Sequence, residues 1–358
     1  MSTISLCMIV KNEQDVLARC LSSVKEAAEE IIIVDTGSSD ATKEIARQFT
    51  SKVYDYVWDD DFAAARNFSF SKATQEYCMW LDADDILTKE DLKKLLDLKA
   101  TLNPSIHLVM MKYNIAFDAI GKPIFSYYRE RLMRRSRRYL WEGAVHEVIT
   151  PSGNIIYSDI AVTHAKCKPG DPDRNLRIYE RLISEGKELN PREQFYFARE
   201  LFTHLRDDEA IDMYQKFLNG GQGWVENNIN ACSDLAACYK RKGDISHALR
   251  TLFCSFEYDL PRAEVCCAIG QIFLETGRLT NAVFWYELAL TKQPDETSGG
   301  FIQPDCYGYL PAIQLCVCHD RLGNREKAIE YNEMAAKFKP GDPATEYNRK
   351  YFGETKPE

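Results

Sequence analysis

The sequence predicts an α/β domain with a mostly parallel sheet, followed by an all-helical repeat array. In the first half, short apolar runs end in polar loops, and each loop is followed by apolar residues at helical spacing. In the second half, similar helical segments recur every 34 residues, which is typical of stacked helix pairs. The predicted boundaries are residues 1–168 for the first domain, 169–190 for a helical linker and 191–358 for the repeats.

The composition indicates a globular protein. The chain has 358 residues and is 45% hydrophobic, which is enough for two cores, and its formal net charge of −9 argues against general nucleic-acid binding. No stretch reaches the length of a transmembrane segment, and the amino terminus lacks the features of a signal peptide. We therefore expect a cytoplasmic location. The twelve cysteines are scattered and are expected to be reduced.

The elements of the first domain alternate along the chain. The predicted order is a strand at 3–10, a helix at 16–24, a strand at 31–34, a helix around 45–49, a strand at 52–58, a helix at 62–73 and a strand at 78–81. Because strand–helix–strand connections are right-handed, the loops after these strands are expected at one edge of the sheet.

Three carboxylates follow the fourth predicted strand directly. Asp82, Asp84 and Asp85 lie where a buried strand ends, and carboxylate oxygens are ligands that Mg²⁺ and Mn²⁺ accept. Ligands of open α/β sheets bind outside the carboxyl ends of the strands. These acids therefore predict a metal-diphosphate site. The alternative is a solvated turn before the helix that begins near Lys89.

Four ordered segments resemble the amino-terminal half of glycosyltransferase family 2. They are Ile9 to Glu13, Val34 to Thr42, Ala65 to Asn67 and Leu81 to Asp85. The resemblance implies the GT-A nucleotide-sugar-binding fold, a UDP-sugar donor and a Mg²⁺ or Mn²⁺ ion. It covers only the first half of the chain.

The nucleotide site is predicted in the first two loops. A carboxylate such as that of Asp35 can accept a hydrogen bond from the uracil N–H, while backbone amides near Val10 and Asn12 meet the uracil carbonyls. The resemblance implies that Asp35 binds the base and that Arg66 lies against the nucleotide. The alternatives are a turn residue for Asp35 and a surface salt bridge for Arg66. The assigned residues are Val10, Asn12, Glu13, Asp35, Gly37, Arg66 and Asp82.

The resemblance also implies the metal ligands. Asp84 is expected to hold the metal and Asp82 to lie near the ribose, where it is a further ligand candidate; Asp85 is an alternative ligand. His146 and His164 could complete the metal shell or bind phosphate, and the alternative for each is a core histidine. His146-Glu147 does not begin a zinc-protease motif, because no second histidine follows at helical spacing.

An arginine-rich segment runs from Arg129 to Arg138. Arginine suits bidentate contact with phosphate, and Arg131 and Arg134 are assigned to the diphosphate. The alternatives are a surface for an anionic partner and a site for an acidic acceptor.

The catalytic base is predicted among the acids that follow this segment. Direct displacement at the anomeric carbon needs a group that takes the acceptor proton, and a carboxylate can do so. The candidates are Glu147 and Glu142. The segment from Trp141 to Glu147 resembles one that many family 2 members carry, and this favours Glu147.

The second half resembles tetratricopeptide repeats. Tyr239 and Phe273, Gly243 and Gly277, and Ala248 and Ala282 are each 34 positions apart. A degenerate copy is predicted at 195–218 and a third full copy at 312–339, after an insertion at 293–306. The concave groove of such an array usually holds an extended peptide. The alternatives are a support for the first domain and a homodimer contact.

The leading hypothesis is an inverting glycosyltransferase that moves a sugar, glucose or N-acetylglucosamine, from a UDP-sugar to a cysteine, serine or threonine side chain of a peptide or protein held by the repeats. The combination of domains resembles bacterial peptide and protein glycosyltransferases. One alternative is a lipid-linked or surface-polysaccharide acceptor. An alternative of a different class is a repeat scaffold without catalytic activity.

Overall fold

The computed structural model describes residues 2–117, 121, 123–168, 170–295 and 298–354. Its first compact unit ends at Glu188 and its second begins at Leu189. The first unit contains a sheet flanked by helices, and the elements of the second unit are helices. The predicted fold class is therefore confirmed. The division between the units falls inside the segment that the sequence assigns to a linker.

The first seven elements alternate as the sequence predicts. They are β1 (Ile4–Val10), α1 (Leu17–Val24), β2 (Glu30–Asp35), α2 (Thr42–Arg47), β3 (Val53–Asp55), α3 (Phe62–Ser71) and β4 (Tyr77–Trp80). Every residue of β2 and β4 is buried. Leu6 and Met8 of β1 pack in one cluster with α1, and Cys7 packs in another with α3. Helices thus cover both faces of these strands, which explains their continuous apolar sequences.

The rest of the first unit adds antiparallel pairs to the sheet. The elements are β5 (Asp85–Leu87), α4 (Lys89–Thr101), β6 (Leu108–Phe117), β7 (Pro123–Arg134), a 3₁₀ turn (Arg135–Arg137), β8 (Ile155–His164) and α5 (Arg174–Ser184). The sheet order is β3-β2-β1-β4-β7-β6-β8-β5. The sheet is mixed: β2 with β3, β1 with β2, β1 with β4 and β6 with β8 are parallel, and the other pairs are antiparallel.

The sheet topology brings the predicted loops to one edge. Val10 pairs with Asp35 in the parallel register of β1 and β2, and β4 runs parallel to β1. The loops after these three strands therefore share the carboxyl edge of the sheet. The three-residue strand β5 pairs with β8 so that Asp85 lies opposite His164. This pairing places His164, which is about eighty positions later in the sequence, beside the acids that follow β4.

The second unit is a series of antiparallel helix pairs. Its helices are α6 (Pro191–Thr203), α7 (Asp207–Asn219), α8 (Val225–Arg241), α9 (Ile245–Cys254), α10 (Ala263–Glu275), α11 (Leu279–Leu290), α12 (Tyr309–Arg321), α13 (Arg325–Phe338) and α14 (Pro343–Glu354), with short 3₁₀ turns at Ser255–Glu257 and Pro304–Tyr307. Fully buried alanines, Ala248, Ala282 and Ala328, lie in the second helices of three pairs. The predicted repeats are therefore confirmed, and the insertion at 293–306 lies between α11 and α12.

All twelve cysteines are free, and all except Cys167 and Cys254 are buried. Within the described ranges, none of the helices combines the length and the apolar character needed to cross a bilayer.

Candidate functional site

The loop after β2 holds Asp35 by one carboxylate oxygen. Its Oδ1 accepts hydrogen bonds from the backbone N–H groups of Gly37 at 3.0 Å and Ser38 at 2.8 Å. The ammonium of Lys43 lies 3.8 Å from the same oxygen. Oδ2 is buried and has no hydrogen-bond partner within the described part of the chain. This second oxygen is therefore suited to accept a hydrogen bond from a bound molecule.

The loop after β1 is tied to the loop after β2. Asn12 has a positive φ of 55°, and its backbone N–H donates to Ser38 Oγ at 2.9 Å. Its side-chain oxygen accepts from the Ser39 N–H at 2.8 Å. Val10 and Asn12 thus lie beside Asp35, as the sequence predicts.

Glu13 continues this loop. Its backbone N–H donates to Thr42 Oγ1 at 2.7 Å, and its carboxylate lies 3.3 Å from the ammonium of Lys168, which also donates to the Asn12 carbonyl. Burial raises the pKa of Glu13, and Lys168 offsets part of this effect. Glu13 is therefore a structural neighbour of the Asp35 loop.

Arg66 joins two carboxylates that are distant in sequence. Its Nη2 donates to Asp82 Oδ1 and its Nε donates to Glu147 Oε1, each at 2.7 Å. Arg66 and Glu147 have side-chain exposures of 7% and 14%, so this contact is largely shielded from water. Burial raises the pKa of Asp82, but the nearby guanidinium groups, that of Arg66 first, lower it further, and the net direction is down. We refer to these three residues as the Arg66 triad.

Two indole rings and one asparagine position Arg66. The guanidinium lies 4.7 Å from the ring centre of Trp80 and 4.9 Å from that of Trp141. Asn67 accepts from the Trp141 backbone N–H at 2.8 Å and donates to its carbonyl at 2.9 Å. The Asp61 side chain caps α3 one turn before Arg66. The cap and the indoles leave the guanidinium little freedom.

A second buried arginine holds Asp85. Arg131 Nη1 donates to Asp85 Oδ2 at 3.1 Å and to the Trp80 carbonyl at 3.2 Å, and both side chains are fully buried. The Tyr113 hydroxyl donates to Asp85 Oδ1 at 2.9 Å. The Asp82 N–H also donates to Asp85 Oδ2, at 3.1 Å. Asp85 therefore fixes the turn that presents Asp82 and Asp84.

Asp84, Asp85 and His164 form a group suited to a metal ion. Each offers one ligand atom, and these atoms lie within 4.8 Å of one another. His164 Nδ1 lies 3.4 Å from Asp84 Oδ1, and the Tyr113 hydroxyl is 3.0 Å from the same nitrogen. The hydrogen-bonding contact with Asp85 raises the pKa of His164, while burial raises that of Asp84. Two carboxylates and an imidazole are a donor set that Mn²⁺ and Mg²⁺ accept.

Other predicted site residues lie outside this group. Asp82 Oδ1 is bound to Arg66, and neither Asp82 nor His146 belongs to the described group of metal-suited ligand atoms. Glu142 is exposed and forms a backbone bridge with Val148. Arg134 pairs with Tyr77, the first residue of β4, whereas the acids follow the last residue. The structure therefore does not bring Arg134 to the acids.

Sequence reasoning did not identify Tyr113 or the two indole rings as parts of the site. Tyr113 lies inside the long strand β6 and resembles any half-buried strand residue in the sequence. Trp141 is the first residue of the segment whose resemblance favours Glu147 as the base. The tryptophan at that position was the sequence feature that could have indicated an aromatic ring packed against Arg66.

Two family models match the chain. The model described as glycosyl transferase family 2 matches residues 5–157, and the model described as tetratricopeptide repeat matches residues 263–296. The amino-terminal domain is therefore similar to glycosyltransferase family 2 over residues 5–157. The family match includes the Asp35 loop, the Arg66 triad and the acids after β4 but ends before His164, and it confirms the resemblance found in the sequence.

Several relatives share one part of the chain. The glycosyltransferase SunS of Bacillus subtilis is 31% identical over 232 residues, which cover 61% of this chain and 53% of SunS. A TPR repeat-containing protein of Synechococcus elongatus is 45% identical over 100 residues, 27% of this chain and 25% of that protein. The lipopolysaccharide core biosynthesis glycosyltransferase LpsC of Rhizobium meliloti is 28% identical over 159 residues, 42% of this chain and 58% of LpsC. The matches therefore span between a quarter and less than two thirds of the relatives' own lengths.

Proposed function

We propose that this protein is a metal-dependent, inverting glycosyltransferase that moves a sugar from a UDP-sugar donor to a cysteine, serine or threonine side chain of a peptide or protein. The observation that carries the proposal is the group of Asp84, Asp85 and His164, whose ligand atoms lie within 4.8 Å of one another at the carboxyl edge of the family 2 sheet. A diphosphate donor needs positive charge at this edge, and these side chains are suited to hold it.

The metal would be held by Asp84 and His164, with Asp85 either as a ligand or as the group that orients them. A divalent cation there supplies positive charge opposite the two phosphates of the donor. Asp85 is already bound by Arg131 and Tyr113, so the proposed role of Arg131 is to position this carboxylate. Either Mg²⁺ or Mn²⁺ is compatible with the donor set, and the nitrogen ligand favours Mn²⁺.

The nucleotide would be bound by the loops after β1 and β2. The unpartnered Oδ2 of Asp35 supports a hydrogen bond from the uracil N–H. The Asn12 N–H already donates to Ser38 Oγ, so it does not support a contact with a uracil carbonyl. Asp82 would lie near the ribose. The hydrogen bonds that Gly37 and Ser38 donate to Asp35 Oδ1 would keep that carboxylate oriented.

Glu147 is the proposed base. The acceptor oxygen or sulfur attacks the anomeric carbon, the bond to the diphosphate breaks, and the acceptor proton passes to the Glu147 carboxylate. The ion pair with Arg66 holds Glu147 beside Asp82, which is proposed to contact the ribose. Exposed Glu142 is the alternative base. A thiol acceptor needs less help than a hydroxyl, because part of it is already ionised near neutral pH.

The tetratricopeptide repeats support a polypeptide acceptor, because such arrays use their concave face to hold peptides. The similarity to SunS, which is named as a glycosyltransferase, supports the transfer reaction but does not specify an acceptor. A second candidate is transfer to a saccharide of a surface polysaccharide. The similarity of the first domain to LpsC favours that candidate.

The test is thermal unfolding of the full-length protein with UDP, with and without Mn²⁺ or Mg²⁺. A bound nucleotide stabilises by several kcal/mol at concentrations far above its dissociation constant, and the stabilisation is expected to require the metal. Asp84→Asn should abolish the metal-dependent stabilisation by UDP. The matched control is Asp97→Asn, which changes an exposed acid of α4.

Mass spectrometry of candidate peptides incubated with UDP-sugars then identifies the product. A peptide that gains one sugar supports the polypeptide acceptor. Donor hydrolysis without a peptide product favours the saccharide acceptor. A protein that shows no metal-dependent response to UDP would instead be a repeat scaffold without transferase activity.

A further inference from the structure

The second unit contains a cavity of about 400 Å³ between α8 and α10. Glu226, Asn230 and Asp234 lie on one face of α8, four residues apart, and line one wall. Helix α10 provides the opposite wall. The insertion between α11 and α12 provides a third wall, through Phe301 and Gln303. The cavity therefore lies between two successive repeats.

The insertion is fixed to the neighbouring helices by side-chain contacts. The Gln303 N–H donates to Glu264 Oε1 at 2.8 Å, and the Tyr307 hydroxyl donates to Glu264 Oε2 at 3.0 Å. The guanidinium of Arg199, on α6, lies 4.5 Å from the centre of the Phe301 ring. These contacts make the third wall part of the folded repeats, so the cavity has a defined shape.

Acidic groups outnumber basic groups around the cavity. Its lining contains the carboxylates of Glu226, Asp234, Glu264 and Asp295 and the guanidinium groups of Arg199 and Arg262. Arg262 Nη2 donates to Glu226 at 2.7 Å and also to Asp259 at 2.8 Å, an acid outside the lining. Its charge is thus shared, and the lining keeps an excess of negative charge.

The two carboxylates on α8 are partly desolvated, and each has one guanidinium partner. Burial raises the pKa of Glu226, and Arg262 only partly offsets it. Burial also raises the pKa of Asp234, with Arg199 as the main opposing charge at 3.7 Å. Asp234 also accepts a hydrogen bond from the Tyr214 hydroxyl at 2.9 Å. The pKa of both carboxylates is raised by burial despite these partners, so a further cation that binds beside them is stabilised.

We propose that this cavity binds the cationic side chain of a lysine or arginine in a polypeptide. The volume is that of a site for a small group rather than a folded domain. The carboxylates of Glu226 and Asp234 flank Asn230, whose Nδ2 donates to the Glu226 carbonyl at 2.7 Å and whose side-chain oxygen is suited to accept from a peptide N–H. This cavity would bind part of the acceptor polypeptide of the proposed reaction. Only the identification of the bound polypeptide as the acceptor rests on the proposed function.

The test measures peptide binding by the full-length protein without donor or metal, so its outcome is independent of sugar transfer. The probe is an immobilised array of random decapeptides. Signal is expected to increase with the number of lysine and arginine residues. Replacement of the critical lysine in the best peptides by norleucine should weaken binding by roughly tenfold or more, because a charge-assisted hydrogen bond is lost.

Two variants test the location of the site. Glu226→Gln should weaken binding of the best peptides by roughly tenfold. Asn230→Lys places an ammonium between the two carboxylates and should abolish the preference for basic peptides. Asp212→Asn, which removes an exposed acid of α7, is the matched control and should leave binding unchanged. Thermal unfolding of each variant checks that the repeats remain folded.

Three outcomes contradict the proposal. One is an array without preference for lysine or arginine. Another is a preference that persists unchanged in folded Glu226→Gln and Asn230→Lys proteins. The third is binding of free lysine amide as tightly as the best peptides, because the proposed ligand is a side chain of a polypeptide.

Discussion

At the level of single residues, Arg66 connects the two acids on which the proposed reaction depends. Arg66→Met leaves the largely shielded Glu147 and the partly exposed Asp82 without their cation, so we expect a loss of about 1–3 kcal/mol in unfolding free energy and a decrease in kcat of more than tenfold. Arg66→Lys keeps the charge, but one ammonium does not reproduce the two-sided contact. Its stability should be nearer to wild type, with kcat still reduced.

Chemical unfolding and steady-state kinetics of both variants check this prediction. The lysine variant separates positioning from charge, because it retains the charge in a different geometry. Full activity in folded Arg66→Lys protein would show that the two-sided contact is not needed for catalysis.

A second residue-level prediction concerns Glu30, a buried acid outside the site. Its carboxylate accepts from Ser5, from Lys52 and from the Thr74 N–H at 2.8 Å. Burial raises its pKa, but these contacts lower it further, from 4.5 to about 2. The folded-state pKa is thus below the unfolded value, so the stabilisation is complete above pH 4.5 and is lost as the pH falls toward about 2.

The measurement is urea unfolding of wild type and Glu30→Gln at neutral and at acidic pH. The pKa difference corresponds to roughly 2–3 kcal/mol, so the variant should be less stable by about that amount at pH 7. Near pH 3 the gap between the two proteins should narrow. A gap that stays constant with pH would mean that Glu30 acts by packing rather than by charge.

The sequence predicts the positions of site residues that directly follow a strand. It does not predict contacts between residues that are distant in sequence and come together only in the folded sheet. Asp35 and Asp84 follow strands and could be predicted from local pattern alone. The contact between Asp85 and Arg131 depends on the antiparallel pairing of β7 with β4, which has no local signal. Arg134 shows the same limit, because only the strand register reveals that it lies at the other end of β4.

At the level of elements, the turn between α6 and α7 differs from the other repeat turns. Gly243, Gly277 and Gly323 have φ values of 79°, 73° and 77° in the later turns, and Leu205 has a φ of 58° in the first. A leucine in this left-handed region is strained by roughly 1–2 kcal/mol. Leu205 is also 71% exposed, so its side chain contributes little packing.

Leu205→Gly should therefore stabilise the protein by about 0.5–1 kcal/mol, after the added flexibility of the unfolded chain is subtracted. Leu205→Ala removes the side chain but keeps the strain, and it should give no comparable gain. Melting temperatures of the three proteins provide the measurement. Equal stabilisation by alanine and glycine would place the effect in the exposed side chain instead of the backbone.

The same turn explains why the first repeat is degenerate in the sequence. Without a glycine at this position, the period was visible only in the later copies. The short strand β5 was missed for a related reason. A strand of only three residues is too short to show an alternating apolar pattern. The strand β5 forms because it pairs with β8, which lies about eighty positions later in the sequence.

At the level of the whole molecule, the proposed donor site and the acidic cavity lie in different compact units, so their binding functions should be separable by mutation. Asp35→Ala removes the proposed hydrogen bond to the uracil ring, so it should weaken UDP binding. Binding of basic peptides should be unchanged. Asn230→Lys should have the opposite effect. Sugar transfer to a peptide should be lost or strongly reduced in both full-length variants.

This pattern distinguishes a repeat array that binds the acceptor from one that only supports the first unit. In the supporting role, Asn230→Lys would leave peptide transfer intact as long as the protein remained folded. Donor hydrolysis in the absence of peptide serves as the internal control, because it depends on the first unit alone and should persist in Asn230→Lys. Loss of peptide transfer with retained hydrolysis would therefore assign acceptor binding to the repeats.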